Sequence, residues 1–199
     1  TAHSIDLPEV ADFMELTLDL FWRPADILSL QWSDFSEDGF VYAHIAKPDE
    51  RRMTAYTDLA RQTLARIRAR RAAQGRISPW VIVASTTGRP FATLEGDTPG
   101  ATEQDVRNFR ERWKKVQAAL ADTFPEAKQF TPQDMRDTAM TLSNEAGLST
   151  WQRMARSQHS DPASADAMQA KHYGKISREI HHQSAAKMQA FFEARGLLR

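Results

Sequence analysis

The sequence predicts a mainly α-helical domain that carries one small antiparallel β-sheet, an α+β fold. Three observations predict it. Apolar residues recur at helical spacing along most of the 199 residues. One stretch, 40–56, reads instead as two short strands joined by a Lys-Pro-Asp-Glu turn. The apolar content, 41% over this length, suffices for one sizeable core, so residues 1–199 are expected to form a single domain.

The elements follow in chain order. Val10, Phe13, Leu16 and Leu20 lie on one helical face, and Ile27, Leu28 and Leu30 mark a second helix. Pro24 suits the first turn of that second helix, which puts a turn at 22–23. Residues 40–45 and 52–56 are the two strands. "DLARQTLARIRARRAAQG" is a helix with an Asp start and a Gly stop, "PWVIVAS" a short buried strand, "TTGRPF" a turn and "GDTPGAT" a loop. "TEQDVRNFRERWKKVQAAL" is an amphipathic helix opened by Thr102 and Asp105 as a capping box. "FTPQDMRDTAMTLSNEAG" is a helix capped at Thr131, with Pro132 in its first turn and Gly147 as its stop. "STWQRMARSQ" is a shorter helix, and "SDPASADAMQAKHY" begins as a loop and becomes helical. A long final helix presents Ile176, Ile180, Met188 and Phe191 on one face.

Composition removes several functions. There is no cysteine, which excludes disulfides, thiolate catalysis and Cys-ligated metal. No apolar run is long enough to span a bilayer and no signal segment opens the chain, so a soluble, cytoplasmic protein is expected. Lys+Arg and Asp+Glu are both 26, and this balance runs against nucleic-acid binding. It does not forbid such binding, because a basic face can coexist with an acidic back. There is no Gly-rich phosphate loop and no Ser-centred nucleophile elbow. His159, His172, His181 and His182 match no zinc-ligand spacing. His181 and His182 are adjacent, face different ways on a helix, and read as surface residues. No metal and no cofactor is expected.

Three positions could bear on chemistry. Arg23 lies in a turn between two helices, where an arginine is ordinarily just solvated. Arg136 sits one turn into a helix that begins Thr-Pro, near its positive end. Two such guanidinium forks match phosphate geometry. Lys47, at the hairpin tip, would serve solubility or reach into a groove.

Taken together these pieces resemble the catalytic domain of the tyrosine recombinase (phage integrase) family. The family's first motif has the form Gly-Leu-Arg-x-x-Glu-Leu-Leu-x-Leu-x-Trp, and this chain reads "FWRPADILSLQW". Arg23 takes the arginine's place, Asp26 that of the acid, and Leu30 and Trp32 the apolar end. The family's hairpin lysine matches Lys47 in "HIAKPDERR". Its Thr-Pro-His-Asp-Leu-Arg-His-Thr motif is similar to "TPQDMRDT", which puts Arg136 at the arginine. "AGLSTWQRMARSQHS" looks like the segment ending Leu-Gly-His-Ser, with His159 at its histidine, and "KHYGKI" like the segment with the nucleophile, Tyr173. The likeness spans nearly the whole chain, and it is the order of five pieces that makes it specific. Gln133 stands where the family has His and Asp137 where a second His is common. Gln can still donate to a phosphate oxygen but cannot exchange protons at neutral pH. Asp137, next to Arg136, should point about 100° away around the helix. The stretch between His159 and Tyr173 looks long for the family.

The resemblance implies a site-specific DNA recombinase or integrase of a mobile element, encoded by a bacterium or phage. Tyr173 would attack a phosphodiester, form a 3′-phosphotyrosine link and release a 5′-hydroxyl. Arg23 and Arg136 would stabilise the added negative charge, Lys47 would protonate the leaving oxygen, and His159 would donate to a non-bridging oxygen or take the tyrosine proton. The implied partners are double-stranded DNA and further copies of the chain, a tetramer formed through the C-terminal segment. That segment could equally cap its own core. The separate N-terminal DNA-clasping domain of such enzymes is not found in this sequence. Three alternatives stand beside this reading: a recombinase-fold DNA-binding protein without catalysis, a type IB topoisomerase-like enzyme, and a helical interaction module with chance matches.

Overall fold

The computed structural model describes residues 5–45, 50–91, 103–157 and 177–198. The α+β expectation holds. Among the described residues there are seven α-helices, α1 (Pro8–Leu20), α2 (Pro24–Leu28), α3 (Asp58–Ala73), α4 (Glu103–Ala121), α5 (Pro132–Glu145), α6 (Thr150–Ser157) and α7 (Arg178–Ala194). One antiparallel hairpin joins β1 (Phe40–Ile45) to β2 (Glu50–Ala55), with Phe40 opposite Ala55 and Ile45 opposite Glu50. No helix among the described residues is long and apolar enough to cross a membrane.

Helix α1 is the hub. It packs against α2, α3, α4 and α5. Val10, Phe13, Leu16 and Leu20 are fully buried in the main core, with Trp22, Ile27, Leu30, Ile67, Phe91 and Trp113. Phe109 stands edge-on to Phe13 at 5.0 Å and to Phe91 at 5.2 Å, which fixes α4 against α1. Helix α1 also carries three buried acids, Glu9, Asp12 and Asp19, the last two flanking its apolar stripe. Each finds an arginine on another element: Glu9 pairs with Arg112 of α4, Asp12 with Arg66 and Arg70 of α3, and Asp19 with Arg156 of α6.

The Asp19–Arg156 pair is fully buried on both sides, at 2.9 Å. Burial raises the Asp19 carboxyl above its ordinary value, and Arg156 and the Thr57 amide pull it back. Burial likewise lowers the Arg156 guanidinium, against Asp19. The bonds that compensate this dehydration are numerous. Arg156 also donates to the Ala55 carbonyl at 3.1 Å and to the Asp19 carbonyl. The Thr57 amide donates to Asp19 Oδ2 at 2.9 Å. A single ion pair thus ties the end of α1, the end of β2, the start of α3 and the end of α6.

Helix ends follow local chemistry. Thr57 caps α3 by accepting from the Leu59 amide, and Gly75, at φ 63°, stops it. Gly147, at φ 70°, stops α5, where the Leu148 amide reaches back to the Ser143 carbonyl at 3.0 Å. Thr102, expected to open a capping box on α4, lies outside the described residues.

Four expectations need correction. Residues 79–85 are not a strand. They make isolated bridges, Gln31 to Trp80 and Val83 to Pro90, because the 30–32 segment turns away into a 3₁₀ helix and Pro90 has no N–H to extend a ladder. They are nonetheless buried, as the sequence predicts, at Val81, Ile82, Val83 and Ala84. The second strand starts two residues earlier than 52, at Glu50, and the second helix stops at Leu28 rather than reaching Leu30. On the last helix His181 is buried at 5% exposure instead of lying on the surface, while Phe191 packs, partly buried, on the cluster that holds the fully buried Phe192. Ile176 lies outside the described residues.

Replacing Asp19 with Ala strands a buried guanidinium and is expected to cost about 3–5 kcal/mol in urea unfolding. Asp19→Leu combined with Arg156→Met removes both charges and should recover part of that loss; a double variant no more stable than Asp19→Ala would show that the pair is not the reason.

Candidate functional site

Arg23 is presented by the way α1 ends. Phe21 closes the helix in the left-handed region, at φ 64°, with its amide bonded to the Thr17 carbonyl at 2.9 Å. Phe21 and Trp22 are both buried, and the Trp22 indole N–H donates to Thr54 Oγ1 at 3.2 Å. With both neighbours held inward, Arg23 is left exposed at the N-cap of α2. The Phe21 backbone takes a conformation that glycine adopts most freely.

Arg136 is arranged differently. Thr131 accepts from the Asp134 amide at 3.3 Å, and Asp134 Oδ2 accepts from the Thr131 amide at 2.6 Å, a reciprocal capping box with Pro132 in the first turn. Those bonds, the Thr131 side chain first, hold the Asp134 carboxyl below the usual carboxylate range. Two residues on, Arg136 is 3% exposed, and its Nη2 donates to the Ser157 carbonyl at 2.8 Å. Asp137 is exposed, so it turns away from Arg136 as helix geometry requires. Gln133 is exposed near the start of α5. Helices α2 and α5 pack against one another, which brings the elements bearing Arg23 and Arg136 together from positions far apart in sequence.

Lys47, His159 and Tyr173 lie outside the described residues, as does His172. Their surroundings fix where in the chain each falls. Lys47 belongs to 46–49, between paired Ile45 and Glu50. His159 follows Ser157, the acceptor for Arg136, by two residues. Tyr173 precedes Ser177, the N-cap of α7, by four.

Sequence reasoning missed Asp19, Arg156 and Ser157 as the framework of this region. The signal for Asp19 was weak: Glu9 falls on the apolar stripe of α1, but Asp12 and Asp19 flank it beside Glu15 and read as a polar edge. Nothing marked Arg156 as the partner, since it follows 137 residues later.

No family model, no curated protein and no solved structure matches the chain.

Thr131→Ala removes the cap that starts α5 and should cost about 1 kcal/mol in thermal or urea unfolding. The Asp134 half of the box has the opposite handle. Its folded-state pKa is depressed, so its contribution is present above about pH 4 and is lost as pH falls through the folded value. The stability gap between wild type and Thr131→Ala should therefore narrow on acidification below that point.

Proposed function

We propose that this chain is the catalytic domain of a DNA strand-cleaving and rejoining enzyme of the tyrosine recombinase type. The observation that carries the reading is the packing of α2 on α5, which sets the helix begun by Arg23 beside the helix bearing Arg136. The left-handed Phe21 at the motif's glycine position supports the same reading. So does the Arg136 bond to Ser157, which ties the second arginine to the end of the helix that leads to His159. DNA would be the substrate, and copies of this chain would assemble on it.

The chemistry then divides among the residues as follows. The Tyr173 hydroxyl attacks phosphorus and loses its proton, with His159 or solvent as acceptor. The bond from phosphorus to the 5′-oxygen breaks, and Lys47 delivers a proton to that oxygen. Phosphorus stays bound to the protein as a 3′-phosphotyrosine until a 5′-hydroxyl reverses the step. Arg23 and Arg136 stabilise the negative charge that grows on the non-bridging oxygens, and loss of one such donor costs about 10²–10³ in rate. Gln133 donates to a phosphate oxygen without moving a proton.

The test is a denaturing-gel assay for covalent protein–DNA adducts on a pool of nicked random-sequence duplexes. Wild type should form an adduct and Tyr173→Phe none. Arg23→Ala and Arg136→Lys should fold and form it roughly 10²–10³ more slowly. Salt-sensitive DNA binding by wild type without any adduct would replace this reading with a recombinase-fold binding protein, the reading that Gln133 favours. Adduct of equal yield in Tyr173→Phe would remove Tyr173 as nucleophile.

A further inference from the structure

Helix α7 is attached in a way unlike the rest of the core. The main core around α1 takes none of its members from α7 among the described residues. Helix α7 instead closes two smaller clusters. Met188 and Phe192 cover Phe21, Leu59, Ala139 and Leu148, and Ala185 covers Phe40 and Ala55. Around these apolar contacts runs a rim of polar ones. Arg178 pairs with Asp38 and donates to the Tyr42 hydroxyl at 3.0 Å. Lys187 donates to the Gly147 carbonyl at 2.8 Å, Gln189 accepts from the Asp58 amide at 2.8 Å, and Arg195 pairs with Glu145 at 2.7 Å. Ion pairs at such exposed positions add little. Docking therefore rests on a short apolar stripe that lies outside the main core, with α6 as the most extensive neighbour.

That stripe contains a histidine. His181 is 5% exposed, stands edge-on to Phe40 at 6.3 Å, and its Nδ1 has no hydrogen-bond partner. The charged groups acting on it are Arg156 of α6 and His182 on its own helix. Asp19 of α1 is already committed to Arg156, and Arg178 lies over the far partner, the Phe40 ring, at 4.1 Å. The charged groups that act on His181 include no carboxylate among the described residues, so a proton on it would add a second buried cation beside Arg156.

We propose that α7 is an acid-releasable strap: protonation of His181 undocks it while the core around α1 stays folded. The proposal is independent of the recombinase reading. Burial and the neighbouring Arg156 lower the docked His181 to about 4, against 6.5 for a free imidazole. The docked state thus binds fewer protons than the released state between these values, so docking weakens as pH falls below 6.5 and the loss levels off near 4. Across that window the docking equilibrium falls up to about 300-fold, roughly tenfold per pH unit.

Amide hydrogen exchange on the whole chain, corrected for intrinsic rates, reads this directly. At each pH from 7 to 4.5 the amides of residues 185–192 should be less protected than those of residues 13–20 in α1. Their protection should fall roughly tenfold per pH unit below 6.5. In His181→Gln and His181→Phe, the second of which fills the site with a ring, the slope should flatten. Equal protection of α7 and α1 at every pH would overturn the proposal, because α7 would then leave only with global unfolding. An unchanged pH slope in both variants would overturn it too, because another group would then be the trigger.

Discussion

The buried Asp19–Arg156 pair is the constraint on which the other features lean. A carboxylate and a guanidinium without solvent are costly, and they persist only where geometry and extra hydrogen bonds compensate. Here the extra bonds run to backbone: the Asp19 and Ala55 carbonyls on one side, the Thr57 amide on the other. Because those backbone groups belong to different elements, the pair converts a local electrostatic demand into a global register. It lies two residues before Phe21, which turns the chain into Arg23, and Arg156 is followed directly by Ser157, the acceptor for Arg136. Both arms of the candidate site are therefore hung from one ion pair. Its alternative, a hydrophobic pair of similar volume, would not need those backbone bonds and would not fix the register to the same degree.

The acids of α1 also explain why bulk charge is a poor guide in this chain. Glu9, Asp12, Glu15 and Asp19 meet arginines from α3, α4 and α6 rather than solvent. Each such pair cancels one charge of either sign locally, so the total stays zero while the field outside depends on what is left at each face. A net charge of zero neither supplies nor removes a phosphate-binding face.

Local signals were legible in the sequence and long-range ones were not. Thr131, Pro132 and Gly147 act within a turn of themselves, so the bounds of α5 could be read directly. Residues 79–85 have the composition of a strand, but a strand needs a continuous partner, and Pro90 and the 3₁₀ turn at Trp32–Asp34 deny it one. Both His181 and His182 meet the Phe40 ring, and periodicity alone could not say that His181 would be the buried one and His182 the exposed one. Of the site, the fold shows Arg23 outward and Arg136 inward on neighbouring helices. The sequence could order these residues but could not tell which of them would be buried.

Phe21 carries the last step. A bulky residue at positive φ is strained by roughly 1–3 kcal/mol, and glycine would adopt the same turn freely. The strain is tolerated because the ring does what glycine could not. It is fully buried among Leu59, Ala139, Leu148, Met188 and Phe192, and the Arg156 guanidinium lies over it at 5.0 Å. The turn that presents Arg23 is thereby bolted to α3, α5, α6 and α7 at once. A glycine would give the same backbone with none of these ties, so Phe21 trades local ease for a turn whose direction is set by the surrounding helices. Release of α7 would strip Met188 and Phe192 from that ring, and so would loosen the turn that presents Arg23.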